Sequence, residues 1–364
     1  MGKLRADERV SIALREMYQQ YGYSPYKVSR FEEYDLYMRN KRFLPSEHVL
    51  AFSDMDGKLM ALKPDVTLSI IKNSRDGGET LKVCYAENVY RVPRGAPGFK
   101  EIMQTGLEVI GRVDAYAMGE VLMLAARSLE AISERFALDV ADLRIVSGIL
   151  AGEALSDAQV AQLLLLISEK NLHGLSAACD SLCLAGRTQE LLSALITEYG
   201  PLDETLEKYR AMDLPDACGE AMRDLETMGR MLLAWGLTGV NLDFSVVNDM
   251  NYYSGLIFAG FIDGIPSSVL SGGRYDNLMR RMGREGQAIG FAVYLDQLGR
   301  MMDVGEQYDV DVLIIYDDAA DPVAVAAAAQ AIAAGGESVR VHRAGDTAIR
   351  SRRMISLGGG EAER

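Results

Sequence analysis

The sequence predicts an α+β fold: an antiparallel sheet flanked by helices, interrupted by a helical insertion and followed by a small α/β unit. Three observations carry this expectation. Strand-like segments come in pairs joined by short turns, which favours antiparallel pairing. Between Asp157 and Leu237 the pattern turns almost wholly helical. From Val310 a strand, an alanine-rich helix and a second strand follow in the order of a β-α-β unit with parallel strands. The expected organisation is a core over residues 1–305, with the insertion at 157–237, and a truncated α/β domain over 308–364.

Taken in order, Asp7 to Tyr21 sets Val10, Ile12, Ala13, Leu14 and Met17 at helical spacing, and Gly22 stops the helix. SPYKVSRFEEYDLYM reads as an extended piece leading into a helix. Val49 to Asp54 and Lys58 to Leu62 read as two strands about a Met55-Asp56-Gly57 turn. Pro64 suits the first turn of a helix whose inner face is Val66, Ile70 and Ile71. Lys82 to Arg91 and Glu101 to Gly111 form a hairpin around the loop VPRGAPG. A long amphipathic helix is expected over Ala115 to Phe136, then a strand over Leu143 to Ser147. The insertion breaks near Gly174, Gly186, Gly200-Pro201 and Pro215. From Asp243 to Gln297 strands resume. This stretch holds the Tyr252-Tyr253 pair ahead of a strand, a Gly272-Gly273-Arg274 turn and an amphipathic helix at its end. In the tail, VDVLIIYDD is a buried strand, Pro322 to Ala334 a helix stopped by Gly335-Gly336, and SVRVHRAG a second strand. Ser351 to Arg364 reads as too short and polar to complete a domain.

The chain has 364 residues, 49% hydrophobic and 25% charged, enough for a sizeable core. Its formal charge of −14 repels a nucleic-acid backbone unless cations are segregated. The basic clusters at Arg39 to Arg42, Arg280 to Arg284 and Arg350 to Arg353 have acidic residues among them and read as solvated faces. Cys84, Cys179, Cys183 and Cys218 form no Cys-x-x-Cys pair, and His48, His173 and His342 are scattered, so neither a metal site nor a cofactor is expected. So few cysteines suit a reducing compartment. The opening MGKLRADERVSIALREM is amphipathic and charged, and the run LLLLI is too short to span a bilayer. The expectation is a cytoplasmic chain with no membrane partner.

Polar residues cluster on the strands. Gln104 and Glu108 share a face because strand side chains alternate. Asp65 and Thr67 follow a proline at a strand-to-helix turn, and Tyr252 and Tyr253 open another strand. A pocket of these residues suits a small zwitterion: the acids and amide take an ammonium, and the hydroxyls set its orientation. Periodicity alone leaves open the plainer alternative, polar residues facing water and tyrosines in the core. Gly272-Gly273 either cradles a phosphate or lets two strands approach closely while Arg274 pairs with a carboxylate such as Asp276.

Five ordered blocks sharpen the choice: LKPDVT, the YR…QTGLEVIG hairpin, NYYSG, SGGRYDNL and GFAVYLDQL. Together they resemble histidyl-tRNA synthetase, a class II aminoacyl-tRNA synthetase, over roughly residues 1 to 305. The tail resembles the start of that family's anticodon-binding domain. In kind, the chain is most similar to the family's non-catalytic paralogue, the regulatory subunit of ATP phosphoribosyltransferase. The resemblance implies that Asp65 and Thr67 hold the amino group of histidine. It implies that Arg91 touches a phosphate and the carboxylate, that Gln104 and Glu108 contact the amino group and imidazole, and that Tyr252 and Tyr253 belong to the same pocket.

The departures point the other way. Asn248 and Gln297 stand where the synthetase pattern keeps arginines for activation and for ATP, and Pro93 stands where it keeps a glutamate. Pro97 and Phe99 occupy the loop that would contact ATP and the acceptor end, and Ser29 stands where motif 1 carries a proline. A neutral amide does not replace a preorganised cation at a developing negative charge. The resemblance therefore implies a non-catalytic subunit. Its partners would be a short-form ATP phosphoribosyltransferase catalytic subunit and a second copy of itself within a hetero-octamer. It would activate the first step of histidine biosynthesis and mediate feedback inhibition by histidine, without tRNA. The alternatives are a divergent histidyl-tRNA synthetase and a stand-alone amino-acid sensor.

Overall fold

The computed structural model describes residues 5–44, 48–74, 77, 79–92, 98–247, 252–298, 308–345 and 348–358. The chain divides into two compact units, Val10–Leu298 and Gly299–Arg364 together with Met1–Arg9.

Ahead of the tail the elements are α1 (Ala6–Gln20), β1 (Ser24–Pro25), β2 (Phe31–Glu33), α2 (Tyr34–Arg39), β3 (Ala51–Ser53), β4 (Leu59–Leu62), α3 (Thr67–Asn73), β5 (Leu81–Arg91), β6 (Lys100–Gly111), α4 (Ala115–Glu130), β7 (Phe136–Asp142) and α5 (Leu143–Ile149). The insertion follows as α6 (Asp157–Ser168), α7 (Leu172–Ser181), α8 (Gly186–Thr197), β8 (Gly200–Pro201), α9 (Leu202–Ala211) and α10 (Gly219–Ala234). Then come β9 (Val240–Leu242), β10 (Leu256–Ile262), β11 (Leu270–Arg274), α11 (Asp276–Arg281) and β12 (Gln287–Tyr294).

Nine strands form one sheet in the order β1-β5-β6-β12-β11-β10-β7-β9-β8. It is antiparallel except where β1 meets β5 and β7 meets β9. The β5–β6 hairpin pairs without a bulge from Leu81↔Ile110 to Arg91↔Lys100; most of the loop that joins it, residues 93–97, lies outside the described residues. Alternation along β6 separates two environments. Thr105 faces α1, where its hydroxyl meets Ser11 at 2.9 Å. On the same side Tyr18 of α1 reaches Ser128 of α4 at 2.8 Å and sets its ring edge against Phe291 at 5.8 Å. The long helices α1 and α4 thus cover one face. On the other face Ile102 and Ile110 pack with Leu68, Ile70 and Ile71 around α3. Gln104, Gly106 and Glu108 lie between those two isoleucines on the same face, and there the sheet opens into a cavity. A smaller antiparallel sheet, β2-β4-β3, completes this side.

Several expectations are corrected. The helix expected to run to Phe136 ends at Glu130, and Phe136 to Asp142 is a strand. Leu143 to Ser147 is helical, because the buried Asp142 caps the turn by accepting from the Arg144 amide at 2.9 Å. Gly174 lies in the first turn of α7, and the break comes before it, where Asn171 caps the helix. Gly272-Gly273-Arg274 is the end of β11, not a turn. The helix expected at the end of that stretch is only the six-residue α11, and GFAVY belongs to β12.

In the tail, β13 (Val310–Tyr316), α12 (Pro322–Ala334) and β14 (Val339–Arg343) form the β-α-β unit. Asp321 caps the helix through the Val323 amide at 3.0 Å, with Pro322 in its first turn. Ser351–Leu357 adds a third parallel strand, β15, giving the order β14-β13-β15. The polar character that argued against this strand reflects an edge whose side chains are largely exposed.

Candidate ligand-binding site

All seven residues singled out in the sequence (Asp65, Thr67, Arg91, Gln104, Glu108, Tyr252 and Tyr253) line one cavity of about 620 Å³. Asp65 comes from the turn before α3 and accepts from the Leu68 amide at 2.8 Å, so the same carboxylate starts the helix and borders the cavity. Thr67, at the start of α3, donates to Glu108 Oε1 at 2.7 Å. The other oxygen, Oε2, accepts from the Tyr275 hydroxyl.

Close approach dictates two glycines here. Gly290 is opposite Glu108 in the register of β12 on β6. A Cβ at Gly290 would lie 1.7 Å from Glu108 Oε2 and 2.4 Å from the Leu107 carbonyl oxygen. The Glu108 carboxylate therefore lies directly over the neighbouring backbone. Gly106, between Gln104 and Glu108 on the cavity face, has the Tyr85 hydroxyl 2.7 Å from where its Cβ would be. That glycine lets Tyr85 reach across from β5. Tyr252 stacks edge-on with Tyr253 at 4.7 Å and lies 5.9 Å from Tyr275 and 6.3 Å from Phe43, which makes an aromatic wall. The segment after the pair is tied down: Ser254 donates its amide to the Arg274 carbonyl at 2.7 Å and accepts from the Asp276 amide at 2.9 Å. Arg274 pairs with Asp276 at 2.8 Å, the strand-packing reading of the glycine pair.

The electrostatics are those of a buried acidic site. Burial, opposed by the hydrogen bonds from Tyr275 and Thr67, pushes Glu108 up to about 8. Burial also raises Asp65, against the Leu68 amide and the charge of Arg91. Tyr85, Tyr252 and Tyr275 are all held well above the ordinary phenol value, first by burial and then by the nearby carboxylates. Among the described residues lining the cavity, Arg91 is the only cation, and its guanidinium lies 5.6 Å from the Tyr294 ring centre. Gln104 is buried, and among the described residues its amide has no hydrogen-bond partner. The arrangement offers acids for a cationic group, one guanidinium for an anionic group, and aromatic walls for a ring between them.

Ser267, Ser268, Ser271 and Tyr294 also line the cavity with hydroxyls, together with Asp296 and Gln297. Gln297 accepts from the Ser267 hydroxyl at 2.6 Å, so the side chain at the expected arginine position serves a loop contact. A triphosphate would meet one guanidinium here, Arg91, among three carboxyl groups whose ionisation burial disfavours. Asn248 and Pro93 lie outside the described residues. Sequence reasoning did not select Tyr85, Tyr275 or Tyr294. One of them carried a signal, since Tyr85 shares the face of Arg91 by the period of two; Tyr294 reaches the site as the register partner of Gln104, a pairing that only the fold shows.

A largely antiparallel sheet with a ligand-sized cavity on one face, long helices on the other and a helical insertion ahead of its last strands defines a class II aminoacyl-tRNA synthetase fold. Within that class the chain belongs to the histidyl-tRNA synthetase family, whose model matches residues 2–298. A curated relative, the ATP phosphoribosyltransferase regulatory subunit of Alkaliphilus metalliredigens, is 28% identical over 301 residues, 81% of this chain and 76% of the relative. The crystal structure of an ATP phosphoribosyltransferase regulatory subunit/histidyl-tRNA synthetase from Bacillus halodurans C superposes with a TM-score of 0.81 at 24% identity, over 98% of this chain and 94% of that one. A chain of the ATP phosphoribosyl transferase (HisG:HisZ) complex from Thermotoga maritima superposes with a TM-score of 0.63 at 21% identity, over 80% of this chain and 97% of that one. These likenesses in structure establish the fold.

Proposed function

We propose that this chain is a non-catalytic regulatory subunit of ATP phosphoribosyltransferase. It activates a short-form catalytic subunit in the first step of histidine biosynthesis and carries the histidine response. The observation that carries the reading is the lining of the cavity. Asp65, Thr67, Arg91, Gln104, Glu108 and the tyrosine pair line it together, as an amino-acid site would require. Gln297, engaged by Ser267, also lines it, where ATP chemistry would need a cation. The name carried by the relative from Alkaliphilus metalliredigens supports the reading, and so does the likeness to a chain of the HisG:HisZ complex. Histidine binding in the pocket, a homodimer of this chain within a hetero-octamer, a domain boundary near residue 305 and a cytoplasmic location belong to the same proposal. No helix among the described residues is long and apolar enough to cross a membrane. A ligand regulates only if its affinity differs between two states, and a histidine pocket in one subunit supplies such a ligand.

The test mixes the purified chain with a short-form catalytic subunit and follows phosphoribosyl-ATP formation. The reading expects the rate to rise on adding this chain and to fall again on adding histidine. An unchanged rate in both steps contradicts it. Histidine-dependent pyrophosphate exchange with ATP by the chain alone would instead mark an active synthetase.

A further inference from the structure

The small sheet β2-β4-β3 has one face in the core and one face in solvent. Ala61 of β4 belongs to the buried cluster around α3. Its neighbours along the strand, Met60 and Leu62, point the other way. Phe31 of β2 is the register partner of Leu62, and Phe52 of β3 is that of Met60, so four apolar side chains share the outer face. The two phenylalanine rings meet edge-on at 5.7 Å and are still 48% and 37% exposed. The turn that joins β3 to β4 leaves Met55 fully in solvent. β3 lies at the edge of the sheet, and all three of its residues are exposed.

A single exposed apolar residue needs no explanation, but a ring pair on an apolar face beside an open strand edge does. Aromatic side chains are enriched at the centres of protein interfaces and carry much of their binding energy. An open edge beside them invites a further chain. Charge indicates which chain. The molecule carries −14, so two copies repel one another through most of their surface. Residues 24–63, which contain this sheet, have seven basic and six acidic residues, so a second copy meets no net repulsion here. The rim of the face carries both signs: Lys58 and Glu33 pair at 2.6 Å, and each is about half exposed. A twofold axis can set each sign of one copy opposite the other sign of its partner, as an isologous contact requires. A strongly basic partner would gain more from the acidic remainder of the chain.

We infer that the outer face of β2-β4-β3 is the surface through which two copies of this chain dimerise, with Phe31 and Phe52 of each copy packed against those of the other. The inference rests on the reading that the chain self-associates within its assembly, and it adds the surface.

Sedimentation equilibrium of the full chain tests it. The wild type should be a dimer at micromolar concentration. The double variant Phe31→Ser, Phe52→Ser should keep the wild-type circular dichroism and dimerise only at about thirtyfold or more higher concentration. Phe52→Arg, which adds a charge that the contact would have to desolvate, should show the same shift, and it carries the test if the double variant does not fold. Stimulation of a short-form catalytic subunit is measured on the same samples. A monomeric wild type overturns the inference, and so do folded variants that dimerise like the wild type. Variants that stay dimeric but no longer stimulate the catalytic subunit would give the face to that subunit, which also overturns it. A wild-type dimer that the variants split, with no stimulation by either form, would keep the surface and sink the regulatory reading instead.

Discussion

Glu108 accepts hydrogen bonds from Thr67 and Tyr275 and still holds its proton up to about pH 8, because burial outweighs both donors. Its ordinary value is 4.5, so over the interval between about 4.5 and 8 the folded chain binds more protons here than the unfolded one. Stability from this group is therefore fully present below the lower value and is lost as pH rises through the upper one. Glu108→Gln should remove that slope: thermal melts of the variant should hold steady across this interval while the wild type loses stability. An ammonium placed beside Glu108 favours its ionised form, so histidine binding should release a proton and tighten as pH rises toward 8. Titrations in buffers of different ionisation enthalpy read that proton directly. At this scale the sequence was informative where two residues shared a face or stood at a strand-to-helix turn, as with Gln104 and Glu108 or Asp65 and Thr67, although Pro64 lies ahead of α3, which starts only at Thr67, and not in its first turn. Tyr275 was not legible. Its contact with Glu108 spans 167 positions and depends on how β11 and β12 pair, which local patterning does not encode.

At the scale of elements, the site depends on strands that pack too closely for side chains. Gly290→Ala puts a methyl group onto the Glu108 carboxylate and the Leu107 carbonyl. It should cost about 1–3 kcal/mol in denaturant unfolding and abolish histidine binding, since Glu108 must leave its position over β12. The insertion is fastened to the sheet by charge. Arg144 pairs with the fully buried Asp142 at 2.7 Å and with Asp224 of α10 at 2.8 Å. Arg144→Met leaves Asp142 buried and unpaired, and should destabilise the chain by about 3 kcal/mol. Adding Asp142→Asn should recover most of the loss, because an amide still caps α5 and carries no charge. Element types were legible where periodicity ran long, as in α1, the β5–β6 hairpin and α12. They were misread between Phe136 and Ser147, where an aspartate cap decides that the strand ends and a helix begins. The apolar run on either side of Asp142 suits both conformations.

At the scale of the molecule, the chain keeps the sheet and cavity of its family while Gln297 lines that cavity where ATP chemistry would need a cation. The broad plan was readable because the ordered motif blocks span the sheet that carries them. The convergence of Arg39 and Arg281, and the third strand of the tail, were not, since both rest on contacts between distant segments. The central claim is that the cavity holds an amino acid and does not hold ATP. Calorimetry on the chain alone tests it, with histidine as titrant and a competition by ATP. The account predicts saturable histidine binding that Glu108→Gln weakens and that ATP neither displaces nor strengthens. Histidine binding that requires ATP, or no histidine binding at any pH up to about 8, would contradict it.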